Sequence, residues 1–243
     1  MNKIIWMCWF QGLNDENIPN LNKECIKKWK ELNPTWTINI LSNKSIPDYV
    51  PEFIKMKKMA KFDRNYTTQS DILRLLLLKK YGGVWADASL YPMQPLDSFL
   101  SDILNKTGFF TYRFMERSMR RELVSWFLVV NHPNHYLIKK WADILEERYI
   151  NAPVHWSTGN EGKKIDPNRY FEPHAILSNL YDTDFKIKSI IDNMVQISEK
   201  IPHSALKNWR KRKSSFMYKR PKLPLFKNIK LCFLKKLDYY LND

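Results

Sequence analysis

Ser70-Asp71-Ile72-Leu73-Arg74, followed by Tyr81-Gly82-Gly83-Val84-Trp85-Ala86-Asp87-Ala88-Ser89, is the stretch on which the fold turns. Ile72, Leu73, Leu75, Leu76, Leu77 and Leu78 are apolar nearly all round a helix, so the helix over 70–81 is expected to be buried. Ser70 stands where an N-cap would, and the two glycines stand where the helix would stop. Val84-Trp85-Ala86 then reads as a strand that emerges at Asp87. Asp71 and Arg74, three apart, share one face of the helix. Open α/β sheets bind their ligands beyond the carboxyl ends of the strands, which is where Asp87 falls.

Working outward, Ile4 to Phe10 is an unbroken apolar run ending at Gln11-Gly12 and reads as a buried strand. Residues 20–32 carry Leu21, Cys25 and Trp29 on one helical stripe, stopped by Asn33-Pro34, and Trp36 to Leu41 reads as a second strand. Strand, helix, strand with short connections is a βαβ opening. Phe109–Tyr112 and Ser125–Val130 are further strand candidates. His135–Arg148 is an amphipathic helix through Leu137, Trp141, Ile144 and Leu145. Residues 151–169 read as a loop, and Pro173–Tyr181 as a short helix. The expectation is one α/β domain over residues 1–206 with a central mixed sheet, and a basic segment over 207–243.

The charge has a specific address. The chain carries a formal +15, and from Lys207 onward twelve Lys and Arg face two Asp, about +10 of the total. A basic tail attracts phosphates, on anionic lipid or on a lipid-pyrophosphate. Phe226, Ile229, Phe233 and Leu237 fall on one stripe flanked by lysines, the pattern of an amphipathic helix lying in a membrane interface. Because the charge is terminal and no RRM, KH or helix-turn-helix pattern is present, nucleic acid is not the expected partner. Cys8, Cys25 and Cys232 form no CxxC pair and read as free thiols of a reducing cytoplasm. Met1 to Phe10 is too short for a signal peptide, and no run approaches the length of a membrane span. The body is expected to be soluble and cytoplasmic, peripheral at the inner face of the cell membrane through its tail.

Each chemical signal also has an ordinary structural reading. Asp71 with Arg74 can be an ion pair, Asp87 can cap a turn, and Gly82-Gly83 can simply end a helix. A buried helix makes an unpaired charge costly, so the pair carries more weight there than on a surface. An Asp at a strand end with a hydroxyl two residues later can hold a hard divalent cation, which would bridge a sugar nucleotide's diphosphate. Trp9, Phe10 and Gln11 end the first strand near the same edge and could offer a nucleobase an aromatic face and an amide. Trp6 reads as core, and Trp9 serves either role.

The order S-D-I-L-R, Y-G-G-V-W, D-A-S resembles the capsular polysaccharide synthesis glycosyltransferases, relatives of the DXD-containing sugar transferases that include yeast mannosyltransferases and the large clostridial toxins. Trp9-Phe10-Gln11-Gly12 and Cys25-Ile26-Lys27-Lys28-Trp29 add to the resemblance, and Trp126-Phe127, residues 166–181 and Pro202-His203 fit more loosely. The resemblance covers most of residues 1–220. It implies a GT-A-type, Rossmann-like nucleotide-sugar-binding domain. It further implies a UDP-sugar donor, a Mn2+ or Mg2+ ion, a bacterial surface glycan or lipid-linked glycan as acceptor, and retention of anomeric configuration. Asp71 would hold hydroxyls of the donor, Arg74 the donor sugar or phosphate, and Asp87 would be the first acid of the DXD motif. Ser89 stands where that motif has its second Asp, a departure that weakens the metal site.

Among the histidines, His203 is a candidate for the metal or diphosphate and His174 for the acceptor pocket, whereas His132, His135 and His155 read as surface or structural. Lys219 and Arg220 are candidates to close over the diphosphate, and Glu172 is the one further carboxylate proposed for the chemistry. The catalytic candidates are therefore Asp71, Arg74, Asp87, Glu172 and His174. The donor-binding candidates are Trp9, Phe10, Gln11, Asp71, Arg74, Asp87, Ser89, Lys219 and Arg220, and the metal candidates Asp87, Ser89 and His203. No zinc-ligand cluster, GxSxG, P-loop or GxGxxG is present. A sugar-phosphate transferase of the same pathway and a non-catalytic sugar-nucleotide binder remain open alternatives.

Overall fold

The computed structural model describes residues 1–57, 66–114, 123–148, 172–199 and 234–236. Its centre is a five-stranded sheet of order β2-β1-β3-β6-β5. The strands are β1 (Ile4–Cys8), β2 (Thr37–Leu41), β3 (Gly83–Ala86), β5 (Phe109–Phe110) and β6 (Phe127–Val130). β1 pairs in parallel with β2 and β3, while β6 runs antiparallel to both β3 and β5, so the sheet is mixed as expected. β4 (Leu90–Pro92) lies outside it and pairs antiparallel with β7 (Leu234–Lys236).

Side chains alternate between the two faces of a strand, and the two cores follow that alternation. Trp6, Trp85, Leu128 and Val130 enter one core; Ile5, Met7, Val84, Ala86, Phe127 and Val129 enter the other. The first is closed by α4 (Tyr66–Tyr81), α6 (Tyr136–Glu146), α7 (Glu172–Thr183) and α8 (Phe185–Asn193), the second by α1 (Asn20–Leu32) and α5 (Leu100–Leu104). Two short helices, α2 (Ile46–Tyr49) and α3 (Phe53–Lys57), follow β2. Lys79, late in α4, pairs with Asp143 at 2.8 Å and with Glu146 on α6. Burial pulls its ammonium down, but the two carboxylates outweigh it and hold the group above its ordinary range. Among the described residues no helix is long and apolar enough to cross a membrane.

Expected and observed elements differ in two places that matter. The long helix is already formed at Tyr66, four residues before Ser70, so Ser70 is not its cap and Asp71 is not in its first turn. Thr68 and Gln69, polar by type, are buried with the leucines, and tertiary packing extends the helix through them. Leu234–Lys236 falls inside the segment expected to be an amphipathic helix, yet it forms a strand against β4. Backbone pairing with an available edge overrides the side-chain periodicity there. The other residues of 207–243, Cys232 among them, lie outside the described residues, as does His155.

Candidate active site

The site is built on the turn between α4 and β3. Gly82 and Gly83 both have positive φ, 68° and 89°. At Gly83 a Cβ would stand 2.5 Å from the carbonyl oxygen of Ile4 on the neighbouring strand, so the chain reverses tightly only because that position is bare. Trp6 Nε1 donates to Gly82 O at 3.0 Å and fastens the turn from β1. β3 then runs back alongside the helix that preceded it. Eight helical residues from Gly82 back to Arg74 rise about 12 Å, and four strand residues from Gly83 to Asp87 rise about 13 Å. Arg74 and Asp87 therefore finish level with each other, at the carboxyl edge of the two parallel strands.

Arg74 is the centre of the constellation and is 4% exposed. Its Nη1 donates to Asp71 Oδ1, and its Nη2 donates to Asp87 Oδ1 at 3.1 Å and to Ser70 Oγ at 3.0 Å. The guanidinium lies over the Trp85 ring, 5.2 Å from the centroid. Trp85 is two residues before Asp87, so both side chains face α4, and Trp85 Nε1 donates to Asp87 Oδ1 at 2.9 Å. Backbone bonds fix Asp87 as well: its N–H donates to Trp126 O at 3.0 Å and its carbonyl accepts from Leu90 N at 2.9 Å. The latter closes a turn with Ala88 and Ser89 at its centre, and Ser89 is buried within it. The Asp87 side chain keeps 22% of its surface open, while those of Arg74 and Asp71 are nearly sealed. The ordinary structural reading, an ion pair of Asp71 with Arg74, is present, and Asp87 joins it.

β6 is antiparallel to β3, so the residues just before it arrive at this same edge. Ser125 Oγ donates to Asp71 Oδ1 at 3.2 Å and lies 3.5 Å from His174 Nε2. The structure thus brings Asp71, Arg74, Asp87 and His174 together. Trp85, Ser70 and Ser125 were not foreseen. The period-two spacing back from Asp87 points to Trp85; nothing in the local sequence points to Ser125.

The proposed base-binding residues sit at the end of β1, beside β3. Trp9 is half-buried against the core and donates from Nε1 to Asp15 Oδ2 at 3.4 Å. Phe10 is buried and stacks on Tyr66, centroids 5.0 Å apart and planes 18° from parallel. Gln11 is exposed. Trp6 is core, as expected. His135 is buried and structural, its Nε2 2.9 Å from Thr107 O. Glu172 opens α7. His203, Lys219 and Arg220 lie outside the described residues.

The family described as capsular polysaccharide synthesis protein matches residues 1–227. The chain belongs to this family. This chain is also 32% identical, over 104 residues, to the glycosyltransferase afumC of Aspergillus fumigatus, a match covering 39% of this chain and 26% of that protein. Over 96 residues it is 36% identical to Toxin A of Clostridium novyi, covering 40% of this chain and 4% of the toxin. The chain therefore spans well under half the length of these curated relatives. Among solved structures, it is similar to the PaToxG glycosyltransferase, with a TM-score of 0.47, 17% identity, and 79% of this chain and 72% of that one covered.

Proposed function

We propose that this chain is a glycosyltransferase that moves a sugar from a nucleotide-diphosphate donor, a UDP-sugar, onto a growing bacterial surface glycan with retention of configuration. The observation that carries the reading is the Asp71–Arg74–Asp87 constellation at the carboxyl edge of β1 and β3. Membership of a polysaccharide-synthesis family and a relative named as a glycosyltransferase agree with it.

Breaking the anomeric C–O bond places negative charge on the departing diphosphate and positive charge on the sugar ring. Arg74 supplies a fixed cation for the former, preorganised by two carboxylates and an indole face. Its Nε is buried with no hydrogen-bond partner among the described residues. Asp71 holds donor hydroxyls, with Trp9, Phe10 and Gln11 toward the base. His174 belongs to the acceptor side, Glu172 is the further carboxylate for the chemistry, and Lys219 and Arg220 are the candidates to close over the diphosphate.

Among the described residues no group of three His, Cys, Asp or Glu could hold a metal ion. The Asp87 carboxylate and the Ser89 hydroxyl, two residues apart in one tight turn, are oxygen donors of the kind a hard Mn2+ or Mg2+ ion takes; they would be its ligands from this chain, with His203 the further candidate. Such an ion would act as a Lewis acid on the leaving phosphate. Arg74 and Trp85 already bond Asp87 Oδ1, so an ion at Asp87 would compete with two donors for that oxygen.

Residues 1–206 form the transferase domain in this reading. Residues 207–243 close the site and bring the enzyme to the inner face of the cell membrane, where a lipid-linked acceptor would be met.

A panel of nucleotide sugars, read by thermal shift and by hydrolysis with and without manganese, tests the proposal. A stabilising donor that releases UDP supports it. Release of UMP identifies a sugar-phosphate transferase instead, and binding without turnover a non-catalytic binder.

A further inference from the structure

Ser125 is the residue that connects the two sides of this site. The backbone around it is fixed: Val124 N donates to Tyr112 O at 3.0 Å, and Thr111 Oγ1 lies between two carbonyl oxygens, donating to Phe127 O at 2.6 Å with Val124 O at 3.0 Å. On one side its hydroxyl donates to Asp71 Oδ1, the oxygen that also accepts from Arg74. On the other it faces His174 Nε2 at 3.5 Å, the long end of the hydrogen-bond range, and contacts of this kind tighten when an active site fills. His174 is itself held. Trp141 Nε1 donates to the carbonyl of the preceding Pro173 at 2.8 Å, and the Phe114 ring meets the imidazole edge-on, centroids 6.4 Å apart.

A hydroxyl has one proton. If it is given to Asp71, the contact with His174 is bonding only when Nε2 carries a proton and the serine oxygen accepts it. The order is then His174 Nε2–H to Ser125 Oγ, and Ser125 Oγ–H to Asp71 Oδ1. We infer that Ser125 is a positioning residue that fixes the His174 tautomer with the proton on Nε2, turns the Asp71 carboxylate toward the donor, and thereby couples the acceptor-side helix α7 to donor binding. The kinetic part rests on the glycosyltransferase reading; the tautomer does not.

Two measurements on the full chain test this. Long-range 1H–15N correlation spectra of protein labelled at histidine, with His174 assigned by comparison with His174→Gln, report the tautomer directly. The expected result is a single Nε2–H form in the wild type that is lost in Ser125→Ala and restored in Ser125→Thr. An Nδ1–H form, or an unchanged pattern in Ser125→Ala, overturns the inference. In kinetics, Ser125→Ala is expected to raise the donor KM roughly tenfold, the scale of one hydrogen bond to a charged group, with a smaller change in kcat. Ser125→Thr should recover it, and Ser125→Ala with His174→Gln should be no worse than the worse single variant. Fully additive effects would mean two independent contacts and reject the coupling. A wild-type chain that binds no nucleotide sugar overturns the reading of the site, while the tautomer spectrum still decides the contact.

Discussion

Arg74 Nη2 lies 3.1 Å from Asp87 Oδ1 across thirteen residues of chain, and Trp85 Nε1 reaches the same oxygen at 2.9 Å. Asp87 is thus held by two donors that an amide oxygen can also satisfy. Asp87→Asn is expected to fold with a Tm within a few degrees of the wild type. Without the negative charge, transfer should fall by at least about a hundredfold in kcat/KM. A well-folded Asp87→Asn with full activity would remove Asp87 from the chemistry.

The same geometry decides how Asp71 and Arg74 should be probed. Arg74→Ala would leave a buried carboxylate without its cation, a loss on the order of 3–5 kcal/mol that mixes stability with kinetics. Asp71→Asn keeps the shape and the acceptor oxygen. It is expected to raise the donor KM by far more than it lowers the Tm. Normal donor kinetics with a large drop in Tm would make Asp71 a structural partner of Arg74.

Ser89 sits in the turn closed by Leu90 N and Asp87 O. Ser89→Asp adds a second carboxylate at the point where a hard cation would draw on Asp87. Manganese affinity, followed by the metal dependence of activity and by thermal shift, should rise roughly tenfold or more. A superimposable manganese titration would place Ser89 away from any metal.

How far these relationships could be read from the chain depends on their range. The shared face of Asp71 and Arg74 and the strand end at Asp87 are local and were legible; that Arg74 and Asp87 finish level needs the two rises and the glycine turn taken together. The contact of Ser125 with Asp71 spans 54 residues and depends on β6 running antiparallel to β3, which no short motif announces. The start of α4 was placed too late because Thr67, Thr68 and Gln69 are polar by type, although Thr68 and Gln69 are buried. β7 was hidden for the opposite reason: Phe226, Ile229, Phe233 and Leu237 carry helical periodicity, while three residues of that run pair with β4.

The reversal at Gly83 gives a stability prediction. Gly83→Ala must place a Cβ 2.5 Å from Ile4 O at a φ of 89°, against backbone that belongs to the central sheet. A loss of about 3 kcal/mol or more in urea unfolding is expected, combining strain with a clash that side chains cannot relieve. Gly12→Ala is the control. Its φ is 93°, but the nearest atom to the new Cβ is Ser42 Cβ at 3.8 Å, so only the conformational strain of about 1 kcal/mol should appear. Equal losses at the two positions would mean that the close approach to Ile4 is not what demands glycine.

His135 predicts a pH dependence. Burial chiefly holds its imidazole below the ordinary value, with His132 and Lys186 adding to the effect, while the bond to Thr107 O opposes it. The folded chain therefore keeps His135 neutral where the unfolded chain takes up a proton. Stability from this site is complete above the ordinary pKa of about 6.5 and is lost as pH falls below it. Urea midpoints between about pH 7.5 and 5 should decline more steeply for the wild type than for His135→Gln. Parallel declines would show that His135 titrates alike in both states.

The basic segment gives the last prediction. Seven Lys and Arg lie between Lys207 and Arg220, and five more follow Pro221 among Leu225, Phe226, Ile229, Phe233 and Leu237. Charge near an anionic surface contributes about 1 kcal/mol per basic residue, and apolar residues entering the interface add to it. Because Leu234–Lys236 is a strand on β4, this face would meet the surface in part as an extended edge rather than as one continuous helix. The full chain is expected to co-sediment with vesicles containing anionic lipid, less so at high salt, and not with purely zwitterionic ones. A chain ending near Pro221 keeps the first seven basic residues but loses the apolar ones, and it is expected to stay in the supernatant. Activity of that shorter chain on a soluble acceptor analogue should survive, since Lys219 and Arg220 remain in it. Equal sedimentation of the two forms would mean that the residues beyond Pro221 take no part in membrane binding, and that β7 serves only to pair with β4.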